Sequence, residues 1–381
     1  MKTNKEQAHL IESSIGSCRL VYNLALELKQ VAYKHYLRTL DKSILLSKYD
    51  LIKQLPSLKK EFEWLKKVPS QALQQAVERM DISYQNFFKG GGFPKYAKKD
   101  FYTSFQVKQG VKITKNKIYV PNIGWVRYFN SQEIKGLQKI KLITIKKQSD
   151  GYFISLCVAQ INPFSYIKPM SDSQAVGIDL GVSNLAVLSN GIMYSNPKAL
   201  KKHADLMRVE QRSLARKVKG SSNRNKCKKR ISKLHLKIKN IREDNLKKAT
   251  TEIVKNYGGF VLEDLKLKNM SKSSKGNAEK HGKNVAQKSG LNKSILDSAM
   301  GKFAVYLEYK SDWYARTFEK VDAKYTSQDC FVCGHRSKEN RKTQEKFKCV
   351  SCGHQDNADV NAAKNILARA KARSRKAQAV V

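Results

Sequence analysis

The sequence lacks a run of about 18 apolar residues, the length that a helix needs to span a bilayer. Its first residues, Met1–Gln7, also lack the apolar core of a secretory signal peptide. Acidic residues are scarce: the chain has 32 Asp and Glu but 74 Lys and Arg, so its net charge is +42. Such an excess repels itself in a compact protein and is expected where a polyanion neutralises it. These absences predict a nucleic-acid partner and no membrane partner.

Cysteine is too sparse and too uneven for a disulfide scaffold. The chain has seven cysteines, of which four form two close pairs and three, Cys18, Cys157 and Cys227, are scattered. An odd count without an export signal favours a reducing compartment. The scattered three are therefore interpreted as buried thiols.

The chain changes character along its length, which predicts a multidomain α/β protein. Residues 8–100 carry apolar residues at helical spacing, residues 101–165 contain short β-like runs, and residues 166–174 form a linker. A new domain, 175–381, opens with the apolar strand Ala175–Leu180. We further expect a helix from about Asn292 to Phe318, a zinc-binding insertion at 326–356 and a basic tail at 368–381.

Four cysteines near the end of the chain are spaced as in a zinc ribbon. The pattern is Cys330-x2-Cys333-x15-Cys349-x2-Cys352. Gly334 and Gly353 each follow a second cysteine, where a knuckle backbone turns tightly. Four thiolates leave no open coordination position, so the pattern predicts a structural Zn²⁺ rather than a catalytic one.

Carboxylates interrupt segments that otherwise read as buried. Asp179 lies in one apolar strand, Glu263 and Asp264 lie in Phe260–Leu265, and Asp359 opens a helix. Because an unpaired buried carboxylate is costly, such acids are usually ion-paired or metal-bound. Three separated carboxylates beside a polyanion-binding surface suggest phosphodiester hydrolysis with two Mg²⁺ ions.

Residues 199–248 read as a long helical pair, broken near Gly220 and dense in Lys and Arg. Each single lysine there is expected on a solvated face. Together, however, the positive charges outnumber the negative ones too strongly for two helices held together by salt bridges. We predict that these helices bind nucleic acid through ten residues: Arg208, Arg212, Arg216, Lys217, Arg224, Lys228, Lys229, Arg230, Lys233 and Lys237.

Several motifs, in this order along the chain, resemble the TnpB family of transposon-encoded nucleases, which are similar to the ancestors of type V CRISPR effectors. The motifs are Gly16–Asn23, Val68–Leu73, Phe87–Gly90, Gly92–Pro94, Gly124–Trp125, Gly177–Asn184, Val261–Leu265, Thr326–Gly334 and Asp359–Asn365. The resemblance implies a split RNase H-like (RuvC) nuclease domain with an inserted zinc ribbon. It also implies an N-terminal helical recognition lobe (8–100) and a small wedge-like antiparallel β-barrel (101–165).

The same resemblance assigns roles and partners. It implies that Asp179, Glu263 and Asp359 bind the catalytic Mg²⁺ ions, and it selects Glu263 over Asp264 and Asp359 over Asp356. It implies a guide RNA from the transposon end, a DNA target, and a prokaryotic cytoplasmic protein near the nucleoid. Family members begin with a short strand, whereas six residues precede Gln7 here, so residues 1–7 are expected to be a remnant of the first barrel strand.

Two other functions remain open at this point. The chain could be an RNA-guided DNA-binding regulator that does not cleave, or an accessory transposition protein or transposase that uses its three acids for strand transfer. The intact set of acids and the ribbon between Glu263 and Asp359 favour the nuclease.

Overall fold

The computed structural model describes residues 1–129, 140–159, 170–171, 174–277 and 279–378. The chain divides into two compact units, Met1–Gln160 and Ile161–Val381. Most of the predicted linker, 166–174, lies outside the described residues. None of the helices in the described part of the chain has the length and apolar character needed to cross a membrane.

The first unit begins with a long helix rather than a strand. Its helices are α1 (Lys5–Thr39), α2 (Lys48–Lys53), α3 (Leu55–Glu61) and α4 (Ser70–Phe88). Helix α1 starts at Lys5 because Asn4 and Gln7 form a capping box, in which each side chain bonds the other's backbone N–H. In the segment expected to be a strand remnant, Lys2 alone makes an extended pairing, with Arg127.

The strands of the first unit form two antiparallel sheets. They are β1 (Ser104–Val107), β2 (Lys112–Ile113), β3 (Lys117–Val120), β4 (Gly124–Arg127), β5 (Ile140–Gln148) and β6 (Gly151–Val158). Within the described residues, β1, β5 and β6 form one sheet and β2, β3 and β4 form the other.

Helices and strands of the first unit share one hydrophobic core, although the sequence suggests separate domains. Leu73 and Met80 of α4 belong to the same buried cluster as Phe105 and Ile143 of the strands. The expectation of a buried thiol at Cys157 is wrong, because this residue lies on the outward side of β6 and is exposed. Cys18 and Cys227 are buried as expected.

The second unit is built around a mixed sheet. Its elements are β7 (Ala175–Leu180), β8 (Asn184–Leu188), β9 (Met193–Ser195), α5 (Ala199–Lys202), α6 (Ala204–Ala215), α7 (Ser222–Asn256), β10 (Gly259–Glu263), α8 (Leu267–Met270), α9 (Val285–Ser298), α10 (Met300–Trp313), β11 (Thr317–Val321), β12 (Lys346–Lys348), β13 (Gln355–Asn357) and α11 (Ala358–Gln378). The strand order is β11-β10-β7-β8-β9, with β11, β10 and β7 parallel and β8 and β9 antiparallel to their neighbours.

Helix α11 packs very closely on strand β7 at a glycine. A Cβ atom at Gly177 would lie 2.0 Å from the carbonyl oxygen of Ala363 and 2.8 Å from the backbone nitrogen of Leu367. A larger residue would therefore push the helix off the sheet. Ala363 and Ile366 are fully buried against this sheet.

Three boundaries differ from the sequence expectation. The helix predicted from about Asn292 starts at Val285, and the left-handed backbone of Ala299 (φ 54°) divides it into α9 and α10. The helix predicted to reach Phe318 ends at Trp313, because Ala315 adopts a left-handed conformation (φ 51°) and the chain then pairs with β10 as strand β11. The predicted basic tail, 368–381, is helical through Gln378 as the end of α11.

Candidate metal centres and basic surface

Three carboxylates come from three elements that meet at one edge of the sheet. Asp179 lies near the end of β7, Glu263 is the last residue of β10, and Asp359 lies in the first turn of α11. Because β7 and β10 are parallel neighbours, with Leu262 opposite Ile178, their carboxyl ends lie side by side. The packing of α11 on β7 brings Asp359 to the same edge.

The charges of Glu263 and Asp359 both act on Asp179. Burial raises the pKa of Asp179 to about 7, and the charges of Glu263 and Asp359 act in the same direction. Burial also raises the pKa of Glu263, against the hydrogen bond from Thr326. Buried like charges of this kind are stabilised by a cation between them.

An arginine from the ribbon reaches Asp359. The Nη2 atom of Arg341 donates to Oδ1 of Asp359 at 2.7 Å and to the carbonyl oxygen of Gln344 at 2.7 Å. The side-chain amide of Gln344 in turn donates to Oγ of Ser183, which follows β7, at 3.1 Å. Sequence reasoning missed Arg341, because 18 residues and part of the ribbon separate it from its partner and no periodic pattern marks it.

A second set of contacts fixes Glu263 and was also missed. The hydroxyl of Thr326 donates to the carboxylate of Glu263, and the side-chain amide of Asn365 donates to the carbonyl oxygen of Thr326 at 2.9 Å. Thr326 and Asn365 are both buried. Thr326 lies in the motif Thr326–Gly334 and Asn365 in the motif Asp359–Asn365, so membership of these motifs could have marked both residues.

The two neighbouring acids have other partners. Asp264 is exposed and pairs with Lys266, whereas Asp356 accepts from Lys364 at 2.7 Å. Glu263 instead faces Thr326. Glu263 and Asp359, rather than Asp264 and Asp356, are also the acids whose charges raise the pKa of Asp179.

The donor chemistry of Asp179, Glu263 and Asp359 fits Mg²⁺, which prefers hard carboxylate oxygens. Within the described ranges, the four ribbon cysteines are the group whose ligand atoms all lie within 4.8 Å of one another.

The four ribbon cysteines form a compact sulfur cluster that is compatible with zinc. Sγ of Cys330 lies 3.7 Å from Sγ of Cys352, and Sγ of Cys333 lies 3.6 Å from Sγ of Cys349. A tetrahedron with Zn–S bonds of about 2.3 Å has sulfurs about 3.8 Å apart. The spacing thus fits tetrahedral Zn²⁺.

Both knuckles have the same backbone geometry. Gly334 donates to the carbonyl oxygen of Cys330 at 2.9 Å, and Gly353 donates to that of Cys349 at 3.1 Å. The two glycines have φ values of 74° and 73°, in the left-handed region that favours glycine. The spacing-based expectation of tight turns after each second cysteine is thus met.

The ribbon is attached to α11 by two asparagines on one face of that helix. The side-chain amides of Asn361 and Asn365 both donate to the carbonyl oxygen of Asp329, at 2.9 and 2.7 Å, and the backbone N–H of Phe331 donates to Oδ1 of Asn361 at 3.1 Å. The Asp329 carboxylate also binds Arg369 at 2.9 Å. The helix that carries Asp359 therefore holds the ribbon directly.

A basic cleft opens at the end of β10, and two of its lining residues, Arg369 and Asp322, act on the charge of Glu263. It has a volume of about 1060 Å³ and lies between the ends of β10 and β11 and helix α11. Its lining includes five cationic side chains and two acidic ones: Lys266, Lys320, Lys324, Arg369, Arg373, Asp264 and Asp322. A cleft of this size and charge suits a phosphate backbone.

The predicted nucleic-acid residues of α6 and α7 do not share one environment. Arg224 is partly buried and donates to the carbonyl oxygens of Leu214 and Lys217 at 2.6 and 2.9 Å, so it joins the two helices. Arg230 pairs with Glu210 at 3.0 Å and Arg208 with Asp205 at 3.1 Å. Lys217 is half-buried, and the others are exposed: Arg212, Arg216, Lys228, Lys229, Lys233 and Lys237.

Comparison with known proteins identifies relatives over most of the chain. Residues 155–274 match a family model described as a probable transposase (OrfB_IS605), residues 301–366 match the Cas12f1-like TNB domain, and residues 1–38 match a helix-turn-helix domain of OrfB_IS605. The "Putative RNA-guided DNA endonuclease InsQ" of Escherichia coli (strain K12) is 41% identical over 81% of this chain and 76% of its own length. A "Putative RNA-guided DNA endonuclease" of Streptomyces pristinaespiralis is 29% identical over 95% of this chain and 86% of its own length.

A solved structure shares the fold. The cryo-EM structure of a Cas12f1–sgRNA–target DNA complex contains a chain that aligns with 93% of this one and 81% of itself, with a TM-score of 0.55 and 15% identity. The helical N-terminus, the mixed sheet and the four-cysteine insertion thus belong to a Cas12f1-like fold. Together with 41% identity to a relative that is covered over 76% of its length, this makes the chain a member of the TnpB family.

Proposed function

We propose that the protein is a transposon-encoded, RNA-guided DNA endonuclease that needs Mg²⁺. The observation that carries this proposal is the meeting of Asp179, Glu263 and Asp359 at one sheet edge, beside a basic cleft. The relatives named as RNA-guided DNA endonucleases support the substrate class.

The topology of the second unit supports a RuvC-like nuclease domain spanning residues 175–381. Three parallel strands, an antiparallel pair at one edge and a helix packed across the first strand are consistent with the RNase H-like fold that we propose. Helices α5–α7 stand between β9 and β10, and the ribbon stands between β11 and α11. The fold is therefore split by insertions. In the first unit, we assign the helices to a recognition lobe and the strands to a wedge.

Side chains at the proposed catalytic edge have different roles. Two Mg²⁺ ions held by Asp179, Glu263 and Asp359 would supply activation of water and stabilisation of the leaving 3′ oxygen in an in-line displacement. Thr326 orients Glu263, and Arg341 neutralises Asp359 until substrate and cations arrive. The cations of the basic cleft would hold the phosphates on either side of the scissile bond.

The zinc ribbon has a structural role in this proposal. Zn²⁺ bound by Cys330, Cys333, Cys349 and Cys352 would fix the segment that carries both Thr326 and Arg341. Exposed lysines and arginines of α6 and α7 would contact the backbone of a transposon-end guide RNA paired with target DNA, where base pairing supplies sequence specificity.

Purified protein with its co-purified RNA tests the proposal through cleavage of a matching plasmid in Mg²⁺. Alanine at Asp179 and the change Glu263→Gln should abolish cutting and leave RNA binding intact. Asp312→Asn, which alters an exposed acid on α10 that does not line the basic cleft, is the control and should cut normally. Unchanged cutting by Asp179→Ala would refute the site, and DNA binding without cutting by the wild type would favour a non-cleaving regulator.

A further inference from the structure

The first unit contains an aromatic cavity that the proposed nuclease chemistry does not use. It has a volume of about 740 Å³ and lies between α1, the loop after it and the end of α4. We call it the aromatic pocket and define it by five lining residues: Tyr33, Tyr84, Phe87, Phe88 and Phe93. In the sequence, Phe87, Phe88 and Phe93 lie in motifs that the catalytic proposal leaves without a role.

The rings hold one another in place and still face solvent. The ring centroids of Phe87 and Phe93 lie 5.3 Å apart in an edge-on arrangement, and those of Tyr84 and Phe93 lie 5.9 Å apart. Yet Phe88 is 79% exposed, Phe93 51% and Tyr33 54%. Exposed aromatics gathered on one surface mark a binding site more often than isolated ones do.

Glycines shape the turn that closes the pocket. Gly90 has a φ of 90°, and a Cβ atom at Gly91 would lie 2.7 Å from the carbonyl oxygen of Asn86. This Gly-Gly-Gly turn folds the chain back so that Phe93 meets Phe87. The backbone thus prearranges the rings.

The charges around the pocket select an anion. Lys29 and Lys34 contribute to its lining, and the described residues that line it include no acidic side chain. Lys29 is held over the ring of Tyr84 at 5.1 Å and by Asp81 at 3.0 Å. Lys89, in the turn itself, is exposed. A ligand that suits this site is flat, apolar on its faces and negatively charged at its edge.

We propose that the aromatic pocket binds unpaired nucleotides of RNA, with a base stacked on Phe88 or Phe93 and its phosphate near Lys34 and Lys89. Unpaired RNA bases splay out and stack on aromatic side chains, whereas the bases of paired DNA remain in the helix. A second copy of this chain fits less well, because two proteins of charge +42 repel each other. The choice of RNA as ligand rests on the proposed function.

Fluorescence anisotropy of a labelled 20-nucleotide oligo(U) with the full-length protein tests this site. Phe88→Ala should weaken binding by about 5- to 100-fold, the range typical of one lost base stack, and Phe88→Trp should restore it. Phe101→Ala is the matched control, because Phe101 is 83% exposed in the same unit and does not line the pocket. Thermal unfolding of each variant checks that the fold is kept.

Three results would overturn the proposal. The first is that Phe88→Ala and the wild type bind oligo(U) with equal affinity. The second is that the wild type binds oligo(dT) more tightly than oligo(U) and loses this binding on Phe88→Ala. The third is that the wild type is a dimer in sedimentation velocity and Phe88→Ala is a monomer. The plasmid-cleavage assay reads the proposed function separately. If the wild type fails to cut DNA but Phe88→Ala still weakens its oligo(U) binding, the aromatic pocket is supported and the nuclease proposal is refuted.

Discussion

The guanidinium of Arg341 lies 2.7 Å from the carboxylate of Asp359, and both side chains are 22% exposed. One residue comes from the zinc ribbon and the other from the first turn of α11. The ribbon therefore reaches the proposed catalytic edge with a positive charge, while Arg341 also binds the backbone of its own loop at Gln344.

Arg341→Ala should remove the cation that compensates Asp359. We expect a loss of about 1–3 kcal/mol in unfolding free energy in buffer without added Mg²⁺, and a smaller loss in Mg²⁺, because bound cations then neutralise the carboxylates. Plasmid cleavage should fall by at least about tenfold. Lys342→Ala is the control, since that neighbouring side chain is 74% exposed and lies 3.4 Å from Glu339. An equal loss with and without Mg²⁺ would contradict the compensation.

Gly177→Ala should be among the most disruptive small substitutions in the second unit. The new methyl group would lie 2.0 Å from the backbone of α11, so we expect destabilisation of about 3 kcal/mol or more, measured by urea unfolding. Gly290→Ala in α9 is the contrast, because open space surrounds that position and its backbone is helical. It should stabilise by about 0.5–1 kcal/mol. Equal effects of the two changes would argue against the close packing.

Cys349→Ser should remove zinc from the ribbon. We expect metal analysis to find one zinc per wild-type chain and none in the variant, with a fall in the unfolding temperature of at least about 5 °C. Cutting should also weaken, because Thr326 and Arg341 lose their fixed positions. Cys157→Ser, which changes an exposed cysteine in the other unit, should alter none of these measurements. A zinc-free variant that cuts like the wild type would show that the ribbon is dispensable.

Lys310 should make stability depend on pH in alkaline solution. Its ammonium group is buried on α10 and donates to Thr250 and Thr251, at 2.7 Å each, and to the carbonyl oxygen of Lys247. Burial lowers the pKa of Lys310 from 10.5 to about 8, so the amine of Lys310 binds its proton more tightly in the unfolded chain than in the folded chain. Stability due to this group therefore rises with pH between about 8 and 10.5, by at most about 1.4 kcal/mol per pH unit.

Urea unfolding at pH 8 and pH 10 measures this effect. The advantage of wild type over Lys310→Met should grow at the higher pH, whereas the exposed-site variant Lys293→Met should show no such change. A constant difference between wild type and Lys310→Met would contradict the shifted pKa.

The sequence predicted those parts of the second unit in which local pattern and tertiary contact agree. Apolar runs marked β7 and β10, and the carboxylates within them stood out because burial of charge is rare. The end of α10 was misjudged, since the left-handed backbone at Ala315 and the pairing of β11 with β10 are set by the sheet. The four-cysteine spacing sufficed for the sulfur cluster.

Contacts between distant segments were beyond the sequence. Nothing local distinguishes Arg341 from other polar residues, and the motif that contains Thr326 does not reveal its partner. The partners of Thr326 and Arg341 lie 63 and 18 residues away. The charge of α6 and α7 was apparent, but the internal use of Arg224 as a link between the helices was not. Composition reports how many cations a surface has, and only packing shows which of them are free.

The attachment of the ribbon has a practical consequence for protein engineering. Asn361 and Asn365 hold the ribbon through its backbone, and Thr326 and Arg341 are its side-chain contacts with the two acids. The segment from β11 to α11 can therefore be treated as an exchangeable cassette. A transplanted ribbon needs a threonine before its first knuckle, an arginine between its knuckles and a glycine after the second cysteine of each knuckle.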